Sequence, residues 1–184
     1  DYAYGRNTCT RFTALRKKFD IEHPVVAEQL IKPGTMDLTS NVAALKAAAP
    51  DLIFTSMVFA DLPVFMRQAH NMGLTDGVKF VMPAAGWQHT SLKKEFTPEN
   101  IVFGHSTLYF ANPAASPLQK SFVKWYSDKY ADYPHWECDR AYYCLHLYKA
   151  AVEKAMAAKS GSWPTSLEIA EAMPGLTVES LGGP

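Results

Sequence analysis

Nothing in the 184 residues resembles a phosphate-binding loop: neither G-x-G-x-x-G nor a Walker-type run is present. Either would stand out in a chain of mixed strands and helices, so no nucleotide cofactor is expected, nor any other cofactor. Charge of one sign is also missing. Eighteen basic residues balance eighteen acidic ones, which argues against a nucleic-acid partner. The densest basic cluster, Arg16-Lys17-Lys18, reads as the wet face of a helix. No apolar run approaches the ~20 residues of a membrane span, and no signal peptide is visible. In a piece of a longer protein, that second absence says nothing about compartment. Cysteine is scarce. Cys9, Cys138 and Cys144 make no disulfide framework, and the last two fall on opposite sides of one expected helix, out of bridging range. Internal repeats and low-complexity segments are missing as well.

What is present is alternation. "DYAYGRNT" reads as a loop, with Asn7 or Thr8 capping a first helix over about 8–20 whose apolar stripe is Phe12, Leu15 and Phe19. "HPVVAEQLI" (23–31) is β-branched and predicts a strand, followed by a "KPGT" turn. Asp37 or Ser40 then caps a helix with Leu38, Val42 and Leu45 inward. "LIFTSMVF" (52–59) predicts a parallel strand buried on both faces. Asp61 can cap the next helix, which carries Leu62, Phe65, Ala69 and Met72 and stops at Gly73. Further strands are expected at 78–82 and 100–110, then helices at about 117–130, 138–158 and up to 173. The tail "LTVESLGGP" has no evident partner.

Strands alternating with helices imply right-handed βαβ units. The expected fold is α/β, a doubly wound, mostly parallel sheet with helices on both faces. Ligands of such sheets sit beyond the carboxyl ends of the strands. The loops beginning near 32, 57, 83 and 109 are therefore the ones to watch.

Candidate chemistry is thin. His135, Cys138, Cys144 and His146 do not converge as tetrahedral zinc ligands, because one helix points them in different directions. Cys9 is the best thiol nucleophile, if it lies near a helix N-terminus, but it occupies no strand-to-helix elbow. Asp37, Asp51 and Asp61 are accounted for by caps and strand entries. Aromatics in loops remain: Tyr4, Phe59, Trp87, Tyr109 and Phe110. Gathered at one sheet end, they would form a largely apolar pocket.

Three stretches carry a family resemblance: "YAYGR", "APDLIF…DLPVFMRQAHNMGL" and "FVKWYSDKYADYP…RAYYCLHLYKAAVEKA". Together the chain resembles the type I periplasmic solute-binding proteins, in the branch that binds branched-chain amino acids for ABC importers. The resemblance runs from Tyr2 to about Gly183. It implies a periplasmic, non-enzymatic protein with two α/β lobes that close on a small molecule by hinge motion and deliver it to ABC permease subunits. It further implies that residues 1–184 form one lobe, the C-terminal one. The N-terminal lobe and the final hinge-crossing strands would then lie outside this sequence. Ligand contacts carry over to Tyr4 in the side-chain pocket, to Val58 and Phe59 after the "DLIF" strand, and to the "MPAAGW" loop with Ala84, Ala85 and Trp87. Amino-acid-binding members place an acidic residue where Ala84 or Ala85 stands. An α-ammonium there would lose its charged partner, and Asp61 could substitute if it turned inward. Trp87 would stack on a planar ligand. The implied ligand is an amide, a carboxylate (aromatic ones included) or an aliphatic amino acid. The alternatives are a ligand-sensing domain of a regulator with the same fold, or an α/β hydrolase-like enzyme.

Overall fold

The structure, a computed structural model, describes residues 2–19, 21–83, 85, 86, 88, 91–104 and 108–183. They form two units, Asp1–His105 and Ser106–Pro184, each with its own hydrophobic core.

The first unit opens on helix α1 (Ala3–Lys18), which starts well before the expected position. The Arg6 N–H already bonds the Tyr2 carbonyl at 3.1 Å. The Thr8 and Thr10 hydroxyls turn back onto the carbonyls of Tyr4 and Arg6 instead of capping, an outlet open to Ser and Thr inside helices. Tyr4 is thus helical, not in a loop. Cys9 lies mid-helix, away from the dipole's positive end. Residues 23–31 form no strand. Val25 and Val26 are exposed, and β-branched residues favour a strand only where a pleated neighbour exists to pack against. "KPGT" does turn: the Thr35 N–H reaches the Lys32 carbonyl at 3.2 Å, and Gly34 takes φ 80°, as the third residue of a type II turn must.

Helix α2 (Thr39–Ala47) follows. Asp37 receives the Thr39 N–H at 3.0 Å from one residue ahead of the cap position, and Leu38 and Val42 are fully buried. The sheet is parallel, in the order β1 (Leu52–Phe54), β2 (Lys79–Met82), β3 (Ile101–Phe103). Helix α3 (Asp61–Asn71) connects the first two strands. Its Leu62, Phe65, Met66 and Ala69 share one core with Ile53, Phe80 and Met82. Each such Leu, Phe or Met contributes about 1.5–3 kcal/mol by leaving water. Gly73, at φ 67°, ends α3 in a Schellman motif: its own N–H goes to His70 and that of Leu74 to Ala69.

Two strand expectations are corrected. β1 is short and is not buried on both faces. Among the described residues it is an edge strand, and α3 packs on the Ile53 side, whereas Leu52 remains 44% exposed and Val102 of β3 63% exposed. On the Phe54 side, Phe12 of α1 stacks flat, with ring centroids 4.1 Å apart. The strand expected at 100–110 ends at Phe103, and Tyr109 and Phe110 stand in a turn closed by the Asn112 N–H to the Tyr109 carbonyl.

The second unit holds α4 (Pro117–Tyr130), α5 (Glu137–Ala158) and α6 (Ser166–Ala172). Ser116 caps α4, with Pro117 in its first turn. Ala151, Val152 and Ala155 of α5 meet Ile169 and Ala172 of α6. The tail expected to lack a partner has one: the Leu181 and Gly182 N–H groups both donate to Asp139 of α5.

A capping box starts α6. Thr165 Oγ1 accepts the Glu168 N–H, and the Glu168 carboxylate accepts the Thr165 N–H at 2.6 Å. The Thr165 N–H, then Lys159, then the Thr165 hydroxyl hold the Glu168 carboxyl down to about 2, from 4.5. A depressed carboxylate stabilises the fold above its unfolded pKa and stops doing so as pH falls through the folded one. The start of α6 is therefore expected to loosen progressively from about pH 4.5 down to 2. NMR titration of the Glu168 carboxyl checks this; an inflection near the ordinary glutamate value would refute it.

Candidate functional site

Three parallel strands end on one edge of the first unit, and the loops leaving that edge are tied to one another. Beyond β1, the Thr55 N–H makes a last ladder bond to Val81. The Thr55 hydroxyl then accepts the Met57 N–H, and the chain turns away through half-buried Val58. Phe59 follows with a left-handed backbone, φ 56°, and is 68% exposed. Beyond β2, Gln88 is 1% exposed and meets both backbone groups of Phe59. Its Oε1 accepts the Phe59 N–H at 2.9 Å, and its Nε2 donates to the Phe59 carbonyl at 2.6 Å. Beyond β3, the Gly104 N–H bonds Met82, and the Gly104 carbonyl accepts from Gly86 at 3.1 Å. A Cβ on Gly104 would stand 2.3 Å from the Pro83 carbonyl oxygen, so only glycine fits there.

The first turn of α1 reaches the same edge. A Cβ built on Gly5 would come 3.6 Å from Ser56 Oγ. Tyr4, next to it, is 39% exposed, and burial pushes its hydroxyl pKa up. The structure therefore brings the Tyr4 segment, Val58–Phe59 and the Ala85 loop to one strand edge. The Ala85 side chain is fully buried in the core. Ala84 and Trp87 lie outside the described residues. Tyr109 and Phe110 belong to the second unit.

Asp61 neither caps α3 nor stands free as a charged contact, because its carboxylate receives the Gly34 N–H at 3.1 and 3.3 Å. Cys9 is no activated thiol: burial, then the nearby Glu28, raises its pKa. The thiols of Cys9, Cys138 and Cys144 are free. Among the described residues no group of His, Cys, Asp and Glu could hold a metal, and no helix is long and apolar enough to cross a membrane. A shallow groove lined by Tyr148, Val152, Met156 and Trp163 lies within the second unit and includes none of the expected contact residues.

Gln88 was not singled out from the sequence. A buried amide clamp has no motif, and the only local signal is a polar side chain directly after the apolar stretch "PAAGW".

A family model described as periplasmic binding protein matches residues 1–184. The chain belongs to the periplasmic binding protein family. Solved structures share the fold of this family member. An amino acid ABC transporter substrate-binding protein from Pseudomonas fluorescens is 19% identical with a TM-score of 0.73, the match covering 98% of this chain and 46% of that one. A leucine-binding protein from Thermotoga maritima is 20% identical with a TM-score of 0.69, covering 92% and 46%. A solute-binding protein of an ABC transporter from Rhodopseudomonas palustris, in complex with 3,4-dihydroxybenzoic acid, is 23% identical with a TM-score of 0.59, covering 80% and 39%. The chain thus spans less than half the length of each. No curated protein matches it.

Proposed function

We propose that this chain is part of the substrate-binding component of a bacterial ABC importer, which closes on a small solute in the periplasm and hands it to permease subunits. The observation that carries this reading is the strand edge, where loops from three parallel strands interlock and hold the Phe59 ring outward. Tyr4, Val58 and Phe59 are the proposed contacts on this side of the cleft, together with Ala84, Ala85 and Trp87 of the "MPAAGW" stretch. The proposed architecture keeps the other lobe and the hinge-crossing strands on further segments of the protein, in keeping with the 46% of the Pseudomonas protein that this chain covers.

The proposed solute is a small carboxylate or amide, or an aliphatic amino acid. Ala85 offers a buried methyl where a charge would be needed to pair an α-ammonium, and an unpaired buried charge costs several kcal/mol. That favours a ligand without one, an aromatic carboxylate among them. The test is a thermal-shift screen of the full-length protein against L-leucine, aliphatic amides, benzoate and 3,4-dihydroxybenzoate. A ligand at ~100 times its Kd stabilises the native state by about 2.7 kcal/mol, so a clear rise in Tm with one class is expected. No shift with any of them would sink the reading.

A further inference from the structure

We propose that Gln88 is a positioning residue of this site: its buried amide locks the Phe59 backbone in a left-handed conformation and so fixes where the Phe59 ring meets the ligand. This rests on the solute-binding reading above and adds to it a residue that touches no ligand.

A phenylalanine at φ 56° is a genuine outlier, since its Cβ crowds the backbone there. Such a residue persists only where its surroundings over-determine it, and such places cluster at ligand clamps. Here one buried side chain meets both backbone groups of the residue. Gln88 presents an acceptor to the Phe59 N–H and a donor to the Phe59 carbonyl, pairing with it as a neighbouring strand would. Of the side chains of this length, only glutamine carries both groups on one planar amide; an ionised glutamate accepts but cannot donate. Gln88 is itself fixed. Its N–H bonds the Ala85 carbonyl and its carbonyl accepts from Ser91, while Gly86 is tied to Gly104 beyond β3. The ring at the tip of the β1 loop is thereby referenced to β2 and β3. Amides that make the same pair of backbone bonds while half-buried also act as plain braces. Gln68 accepts the Leu38 N–H and donates to the Met36 carbonyl, holding the entry to α2. It supplies the matched control.

The experiment uses the full-length protein, with L-leucine and 3,4-dihydroxybenzoate as probes in calorimetry and amide hydrogen exchange read at Phe59. Gln88→Met keeps the volume and removes both bonds. It is expected to weaken binding of the probe that the wild type takes by about tenfold, the worth of one net hydrogen bond, and to raise Phe59 exchange by a similar factor. Gln68→Met is expected to leave affinity within about twofold, since it loses only a remote brace. Combining Gln88→Met with Phe59→Gly is expected to cost no more affinity than Phe59→Gly alone. Should Gln88→Met not fold, exchange of the Phe59 amide in the wild type decides the clamp: protection comparable to the β1–β2 ladder amides is expected, and exchange at the rate of an open loop overturns it. Unchanged Phe59 exchange in the variant overturns the clamp. Lost protection with unchanged affinity overturns its role in binding. A wild type that binds neither probe counts against the solute reading and the binding half of this proposal, while exchange still decides the clamp.

Discussion

Gly104→Ala is expected to lower the melting midpoint by roughly 10 °C, the consequence of about 3 kcal/mol of overpacking in a chain of this size. The collision is with backbone. An alanine Cβ would stand 2.3 Å from the carbonyl oxygen, 2.6 Å from the Cα and 2.7 Å from the carbonyl carbon of Pro83. No rotamer change relieves that. The strand end has to move, and it is held by the Gly104 N–H to Met82 and by the Gly86 N–H to Gly104. Relief therefore comes at the cost of the contact between the β2 and β3 loops, and ligand binding is expected to weaken along with stability. Gly77→Ala is the control. Its φ is 75° with nothing within 4 Å of the new methyl, so it meets only the left-handed penalty, about 1–2 kcal/mol. Thermal denaturation of both variants separates space from conformation. A Gly104→Ala midpoint equal to that of Gly77→Ala or higher would refute the steric argument.

The same position marks where local sequence stops deciding structure. Gly104 gave no sign of its importance in the sequence, because close approach of two backbones depends on how β3 lies against β2. Helices were legible to within a residue where local chemistry decides them. The helix expected at about 117–130 is Pro117–Tyr130, and Gly73 stops α3, each through groups a few residues apart. The parallel sheet was legible in kind from alternation. The extent of its strands was not, because pairing is decided by neighbours far along the chain. "HPVVAEQLI" has the composition of a strand, yet no described segment pairs with it. "LIFTSMVF" leaves the sheet after Thr55, although its apolar run continues to Phe59. The start of α1 was missed for the opposite reason. Tyr2 closes the first turn with no side-chain cap, so the usual signal was not there to find. Of the proposed contacts, Tyr4, Val58 and Phe59 come from the resemblance. Gln88 does not, since its role consists of two bonds across 29 residues of chain.

Asp139 makes a connection of the same long-range kind, and its removal is the second large effect expected. The residue sits in the first turn of α5, 3% exposed, where the helix N-terminus favours a negative charge. One carboxylate oxygen receives the Leu181 N–H at 2.7 Å and the Gly182 N–H at 3.2 Å. Asp139→Ala leaves two backbone donors without that acceptor next to a fully buried leucine. An unsatisfied buried donor costs about 1–3 kcal/mol. Release of the tail avoids that cost only by exposing Leu181, at about 1.5–3 kcal/mol. Either route gives a loss of about 3 kcal/mol in global stability or in local tail docking. Hydrogen exchange at Leu181 and Gly182 tells the two apart: tail release speeds those amides alone, whereas global destabilisation speeds the slow core amides of α5 as well. Asp139→Asn retains a carbonyl oxygen of the same reach and is expected to keep most of the docking, losing only the charge-assisted part. Alanine must therefore be the worse of the two. Equal exchange in both variants would mean that the carboxylate does not hold the tail, and that Leu181 stays down by packing alone.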